Sequence, residues 1–424
     1  MGIRILHVSD IHLGSGQNHG RINPTTGLNT RVEDFSRALQ TSMDRALALP
    51  VDVVLFTGDA FPDATPAPWI QELFAQQFLR LVTAQIPLVL LVGNHDQHTQ
   101  GEGGASLSIY RALNVPGVIV GESLTTHTLE TRHGSLQIVT LPWITRSMLL
   151  TKPETQGLSM SEINELLLTR LREVLAGEIL SLDENIPTIL AAHVMADKAL
   201  FGAERLLSAG KNLTVPLSLL AQPCFRYVAL GHVHRYQVLH HNPPVVYAGS
   251  IERVDFSEEE EEKGYVLIDI EPRETQFEFC PLPTRCMRTI RVDLTQSNDP
   301  QMELLTRIQK TQIADSILRL IYRLKAEQVP KINEAQIRAA LATAHNYTMQ
   351  PELVNEQPRQ RVTQVDLNQV LDPMTVLEQY IDEMAGLQPL KADLLLAAQA
   401  LLAGMEPELS EPPAPATAQL PLGF

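Results

Sequence analysis

Five short apolar runs in this chain each end in side chains able to hold a metal ion, and a chain patterned this way has few ways to fold. Ile3–Val8 leads to Asp10 and His12, Val51–Thr57 to Asp59, and Pro87–Val92 to Asn94, His95 and Asp96. Further on, Thr188–Ala192 leads to His193, and Tyr227–Leu230 to His232 and His234. Between the first two runs, Val32, Phe35, Leu39, Met43 and Leu47 recur at three- and four-residue steps, which predicts an amphipathic helix. Trp69–Thr83 reads as a second helix. Strand and helix in alternation predict an α/β domain around a buried sheet. Polar residues just past the strand ends place a site at the carboxyl edge of that sheet. The i, i+2 spacing of Asp10/His12 and of His232/His234 suits extended backbone, in which alternate side chains point the same way.

Carboxylate, imidazole and amide oxygen suit Mn²⁺, Fe²⁺ or Zn²⁺ rather than a thiolate-rich structural zinc. Seven candidate ligands (Asp10, His12, Asp59, Asn94, His193, His232 and His234) exceed the needs of one ion. They suit two ions sharing one carboxylate, an arrangement that activates water for in-line attack on a phosphoester. Gly58 and Gly93 would let the backbone turn tightly beside them. Any one of these histidines alone is more simply a hydrogen-bonded core or surface residue, and His240 and His241, with no strand end before them, keep that reading.

The joint pattern carries more. Asp10-x-His12, Gly58-Asp59, Gly93-Asn94-His95-Asp96, His193 and Gly231-His232-x-His234, in that order, resemble the calcineurin-like metallophosphoesterase superfamily. Leu6-His7-Val8-Ser9-Asp10-Ile11-His12-Leu13-Gly14 and Leu141-Pro142-Trp143 are similar to the SbcD-type DNA repair exonucleases, bacterial counterparts of the meiotic-recombination nuclease. So is Tyr247-Ala248-Gly249-Ser250-Ile251-Glu252-Arg253-Val254-Asp255-Phe256, with the acidic run and Lys263-Gly264-Tyr265 behind it.

The resemblance implies an α/β fold, a four-layer metallophosphoesterase β-sandwich flanked by helices, with a small α+β capping domain. It implies one metal on Asp10, His12 and His234, a second on Asn94, His193 and His232, and Asp59 bridging them. The ions would be Mn²⁺, with Mg²⁺ or Fe²⁺ as alternatives. His95 would meet the scissile phosphate and Asp96 would orient its imidazole. Members of the family often carry a second histidine where this chain has Pro62, which bears on how a DNA end is shaped. The implied activity is two-metal hydrolysis of DNA, as a 3′→5′ duplex exonuclease and hairpin-opening endonuclease in double-strand break repair. The implied partners are DNA, a coiled-coil ABC ATPase of the SbcC kind and a second copy of the chain. A phosphomonoesterase or cyclic-nucleotide phosphodiesterase on the same core is the alternative. A scaffold with a vestigial site is disfavoured, because every ligand position is filled.

On this reading 1–284 is the nuclease domain, 285–350 the capping domain, 351–373 a polar linker, 374–404 a helical ATPase-binding segment and 405–424 a disordered Pro-rich tail. Net charge is −16, which argues against a protein that sheathes nucleic acid. Residues 285–350 run the other way, with ten Lys and Arg against six Asp and Glu, and Arg285, Arg288, Arg307 and Lys310 are the expected phosphate contacts. Glu258–Glu262 reads as a solvated loop, since adjacent glutamates repel. No apolar run is long enough to span a bilayer, the N-terminus does not read as a signal peptide, and three cysteines make no paired framework. The expectation is a cytoplasmic protein, nucleoid-associated when on DNA, with no membrane partner.

Overall fold

The apolar runs become strands buried on both faces. In the computed structural model, residues 2–98, 104–200, 213–354, 373–383 and 388–402 are described. The first sheet is founded on β1 (Ile3–Val8), β2 (Val53–Phe56), β3 (Leu88–Leu91) and β4 (Val118–Gly121), parallel neighbours in that order. The second contains β5 (Thr125–Thr131), β6 (Gly134–Leu141) and β7 (Thr188–His193). A short pair, β8 (Met195–Ala196) and β9 (Thr214–Val215), stands apart from it. β10 (Phe225–Gly231), β11 (Gln237–His241) and β12 (Pro244–Tyr247) complete the second sheet, in the order β11-β12-β10-β7-β6-β5. The chain then returns to the first sheet with β13 (Gly264–Ile270), antiparallel to β1, and β14 (Thr275–Pro281).

Strand side chains alternate, so each sheet has two faces to cover. Ile3, Ile5, Val53, Leu55 and Val89 of the first sheet pack against Ile138, Ile189, Tyr227 and Ala229 of the second. The outer face of the first sheet, with Leu6, Val54, Phe56 and Leu90, is covered by α1 (Thr30–Ala48) and α2 (Pro68–Thr83) through Val32, Phe35, Leu39, Phe74 and Phe78. Val139, Leu190 and Val228 on the far side meet Leu171 and Leu175 of the helix Met160–Leu180. Each such fully buried side chain contributes about 1.5–3 kcal/mol. The expected four layers are therefore present, helix, sheet, sheet, helix.

Residues 1–354 form one compact unit. Within it, β15 (Met287–Asp293), β16 (Ile317–Lys325) and β17 (Asn346–Val354) make a third sheet, all parallel. The helices Pro300–Gln309 and Glu334–Ala340 are its crossovers, around a core of Ile290, Leu304, Ile308, Leu318, Leu320 and Ile337. This is a βαβαβ arrangement rather than the expected α+β one. The difference arises at β17, which runs through Pro351, where a polar linker was expected to begin. Proline is tolerated there because β17 is an edge strand.

A buried polar network fastens this third sheet to α1. Arg31 is fully buried and donates to Asp34 (2.9 Å) and to the Arg253 carbonyl (2.6 Å). Arg285 clamps Asp34 with two N–H groups (2.8 and 2.9 Å) and also reaches Asp315. Burial alone would raise the Asp34 carboxyl, but the Arg285 hydrogen bonds and the charges of Arg285 and Arg31 hold it below its ordinary 3.8. A depressed folded value means stability that is present above pH 3.8 and lost as pH falls through the folded one. Urea unfolding between pH 7 and pH 3 is expected to show this acid loss in the wild type and a flatter acid limb in Asp34→Asn. That variant should lose about 3 kcal/mol near neutrality, as one partner of a buried pair. Superimposable acid limbs would contradict the assignment.

The second unit spans 355–424. It contains the helices Pro373–Glu383 and Lys391–Leu402, tied by Lys391 to Asp382 (2.6 Å) and Glu378 (3.1 Å). Most of the expected linker and the whole Pro-rich tail lie outside the described residues. No described helix is long and apolar enough to cross a membrane. The three cysteines are free thiols.

Candidate metal centre

β1, β2, β3 and β10 deliver the residues that follow them, and β7 its last residue His193, to one edge of the sandwich. The loops after β1 and β2 are laced together, Asp10 N–H to the Gly58 carbonyl and His12 N–H to the Asp59 carbonyl, both 3.0 Å. Backbone strain concentrates there. Asp10 (φ 49°), His12 (φ 44°), Asp59 (φ 61°) and His232 (φ 101°) all occupy left-handed regions that side chains rarely adopt. The extended-strand reading of the i, i+2 pairs therefore fails. Asp10 and His12 share a group through a loop, and His232 and His234 point into different groups. Gly58 does need its left-handed φ of 101°. Gly93 is required for another reason, the close approach of Asp59.

Asp10, His12 and His234 form one cluster of ligand atoms, and Asp59, His193 and His232 a second. His12 Nε2 and His234 Nε2 are 3.0 Å apart. Glu258 takes the Nδ1–H of His234 at 2.7 Å, so His234 Nε2 presents a lone pair. In the second cluster the Thr57 carbonyl takes the Nδ1–H of His193 (2.7 Å), turning its Nε2 towards Asn94 Oδ1 (3.0 Å) and Asp59 Oδ2 (3.4 Å). His232 Nδ1 lies 2.8 Å from the same Asn94 oxygen. Ring N–H groups can bridge these gaps, and a cation that displaced those protons would meet the same atoms as ligands. Ligands about 2.1 Å from a shared ion stand roughly 3.0–3.4 Å apart, so the spacing fits. Asp59 Oδ2 is also 3.7 Å from His12 Nε2, which sets it between the clusters. The residues present thus fit two divalent cations.

Ligation requires neutral imidazoles and ionised carboxylates. Burial pushes His232 down to about 3 and His12 well below its ordinary range. Burial would raise Asp59, but the charge and hydrogen bond of His193 outweigh it and keep the carboxylate ionised. His193 is pushed up to about 9 by Asp59 against its own burial, so its proton must leave when a cation takes Nε2.

His95 stands beside the first cluster, its ring edge-on to His12 at 4.9 Å. Its Nδ1 lies 2.7 Å from the Pro62 carbonyl and its N–H donates to Asp59 Oδ1 at 2.8 Å. With Nδ1–H given to that carbonyl, Nε2 is the ring nitrogen left to accept. The expected pairing with Asp96 is not what the side chains make. Asp96 accepts from the N–H groups of Asp59 (2.9 Å), Ala60 (3.0 Å) and Gly93 (2.9 Å), bracing the two loops that carry Asp59 and Asn94. Burial, with the Asp59 charge added, pushes Asp96 up to about 6. Pro62 contributes a backbone oxygen, which does not depend on the side chain at that position.

Sequence reasoning gave Glu258 no place at the site, and it quoted Lys263 and Trp143 only as motif residues without a role. Glu258 is 3% exposed and Lys263 1%, although the acidic run was expected to be solvated. Trp143 is half-buried, its ring 4.8 Å from that of His232. Of the expected DNA contacts, Arg288, Arg307 and Lys310 are exposed. Arg285 is committed instead to Asp34 and Asp315, acids that only the fold brings to it.

Residues 3–236, more than half of the chain, match the calcineurin-like phosphoesterase family, and the chain belongs to it. Phosphoester hydrolysis at a dimetal centre is the chemistry of that family. Among solved structures, a dimetal phosphatase from Danio rerio is similar at 11% identity and TM-score 0.43, over 66% of this chain and 96% of that one. The purple acid phosphatase PPD1 from yellow lupin (Lupinus luteus) seeds is similar at 13% identity and TM-score 0.34, over 66% of this chain and 52% of that one.

Proposed function

We propose that this chain is a metal-dependent DNA nuclease of the SbcD type, the nuclease subunit of a complex with a coiled-coil ABC ATPase. The observation that carries the reading is the third sheet, fastened to α1 by the Arg285–Asp34 pair and continuing past the phosphoesterase core. It exposes Arg288, Arg291, Arg307 and Lys310, and the last three line a surface cleft of about 370 Å³ together with Asp293 and Glu303. A small phosphoester has no use for such a surface, whereas a phosphate backbone does. The quoted sequence likeness, from Leu6–Gly14 to Tyr247–Phe256, supports the same reading.

Two divalent cations bound at the clusters would polarise the phosphoryl group and lower the pKa of the attacking water. His95 Nε2 would hydrogen-bond the phosphate or protonate the leaving oxygen, with the Pro62 carbonyl fixing the ring. Asp96 would keep the Asp59 and Asn94 loops in register. In this account Mn²⁺ is the working ion, the chain acts as a homodimer in the cytoplasm, and the helices Pro373–Glu383 and Lys391–Leu402 dock on the ATPase.

Duplex and hairpin DNA incubated with Mn²⁺, with and without the ATPase, tests the reading. Shortening from 3′ ends and nicking of hairpins by the wild type, absent in His95→Ala, is the expected result. Efficient turnover of a small phosphoester with no cleavage of DNA would replace it with a phosphomonoesterase.

A further inference from the structure

Glu258 opens the acidic run yet is the member whose side chain turns inward. Asp255 begins the turn by accepting from Ser257 N–H (2.6 Å), and Phe256 anchors it, under the Arg319 guanidinium at 4.4 Å. That places the Glu258 carboxylate behind a metal-cluster histidine. One oxygen lies 2.7 Å from His234 Nδ1, and the other accepts from Lys263 Nζ (2.8 Å) and Val254 N–H (3.1 Å). Lys263 Nζ donates in turn to the His234 carbonyl (3.0 Å) and to Glu261 (2.8 Å). A buried lysine and a buried glutamate therefore grip both ends of one residue, its ring and its backbone. Arg253 holds the turn closed through the carbonyls of Glu258 (3.1 Å) and Glu261 (2.7 Å).

From this geometry we infer that Glu258, held by Lys263, is a positioning residue for His234 and sets how tightly the Asp10–His12–His234 cluster binds its cation. A carboxylate on Nδ1 fixes the tautomer that leaves Nε2 free to ligate, fixes the ring's direction and makes the nitrogen a stronger donor. Asp59, His193 and His232 have no such partner in Glu258, since Thr57 serves His193 instead. The effect should therefore fall on one ion of the two. The inference rests on the two-metal reading of the site and not on the DNA substrate.

The test is calorimetric titration of Mn²⁺ into the metal-stripped full chain, for the wild type, Glu258→Gln, the double variant Glu258→Gln/Lys263→Met, and Glu260→Gln. The wild type should bind two ions. Both Glu258 variants should bind one of them about 10–100-fold more weakly and the other as the wild type does. Glu260 is exposed, so its variant should behave as the wild type and show that the run's overall charge is not the cause. Should Glu258→Gln alone fail to fold around a buried lysine that has lost one of its two carboxylates, the double variant carries the comparison. Two ions at wild-type affinity in the Glu258 variants would overturn the inference, as would equal weakening of both ions. A wild type that binds no ion would overturn it differently, by removing the two-metal reading itself.

Discussion

Asp59→Asn is expected to lower phosphoester hydrolysis by on the order of 10³-fold or more while leaving the chain folded. Asp59 Oδ2 faces His193 Nε2 at 3.4 Å and His12 Nε2 at 3.7 Å, one from each cluster. An amide keeps the volume and can still accept the His95 N–H, so the loops should hold. It removes the charge that would offset two cations brought close together. Several kcal/mol of transition-state stabilisation are at stake, and each 1.36 kcal/mol is tenfold in rate. The check is metal content per folded chain alongside rate. Content should fall from two ions to one or none, with unfolding temperature little changed. Two ions and an undiminished rate would show that Asp59 does not bridge.

Gly93→Ala should be nearly as damaging, for a steric reason. A Cβ at residue 93 would lie 2.1 Å from Asp59 Oδ1 and 2.5 Å from Asp59 N. The flexible carboxylate could swing away, but the backbone nitrogen cannot, because it and Gly93 N–H are both held by Asp96 at 2.9 Å. Relief requires the two loops to separate. Overpacking of this kind costs about 1–3 kcal/mol of stability. Misplacement of a reacting group by an ångström costs about 10²-fold in rate. Gly177→Ala is the control, since a Cβ there meets nothing within 4 Å. In a helix interior that change should be neutral or stabilising by up to about 1 kcal/mol. Thermal unfolding and hydrolysis rates measured together separate the two effects, and a fully active Gly93→Ala would refute the argument.

Much of this centre was legible in the sequence because apolar runs and ligand-type residues are both local signals. A strand buried on both faces must be continuously apolar, and the first polar residue after it marks the sheet edge. That logic located all seven candidate ligands at the edge where the structure gathers them. It went astray where direction depended on tertiary contacts. The i, i+2 spacing made His232 and His234 look like neighbours on one face, but with φ 101° at His232 they enter different clusters, the division that the resemblance implied. The resemblance implied Asp96 as a partner for His95, yet the N–H groups it braces come mainly from a loop nearly forty residues earlier. Glu258 was hidden by its own neighbours, because composition cannot show which of five glutamates turns inward. β17 was missed for a different reason. It is polar and contains Pro351, the marks of a loop, and only its edge position makes it a strand.

The central claim is that these seven side chains hold two cations with Asp59 between them. Anomalous diffraction from Mn²⁺-soaked crystals, recorded at the manganese edge, tests it most directly. Two peaks are expected, one among Asp10, His12 and His234 and one among Asn94, His193 and His232, with an Asp59 oxygen adjoining both. A single peak, or two peaks away from these residues, would contradict the account.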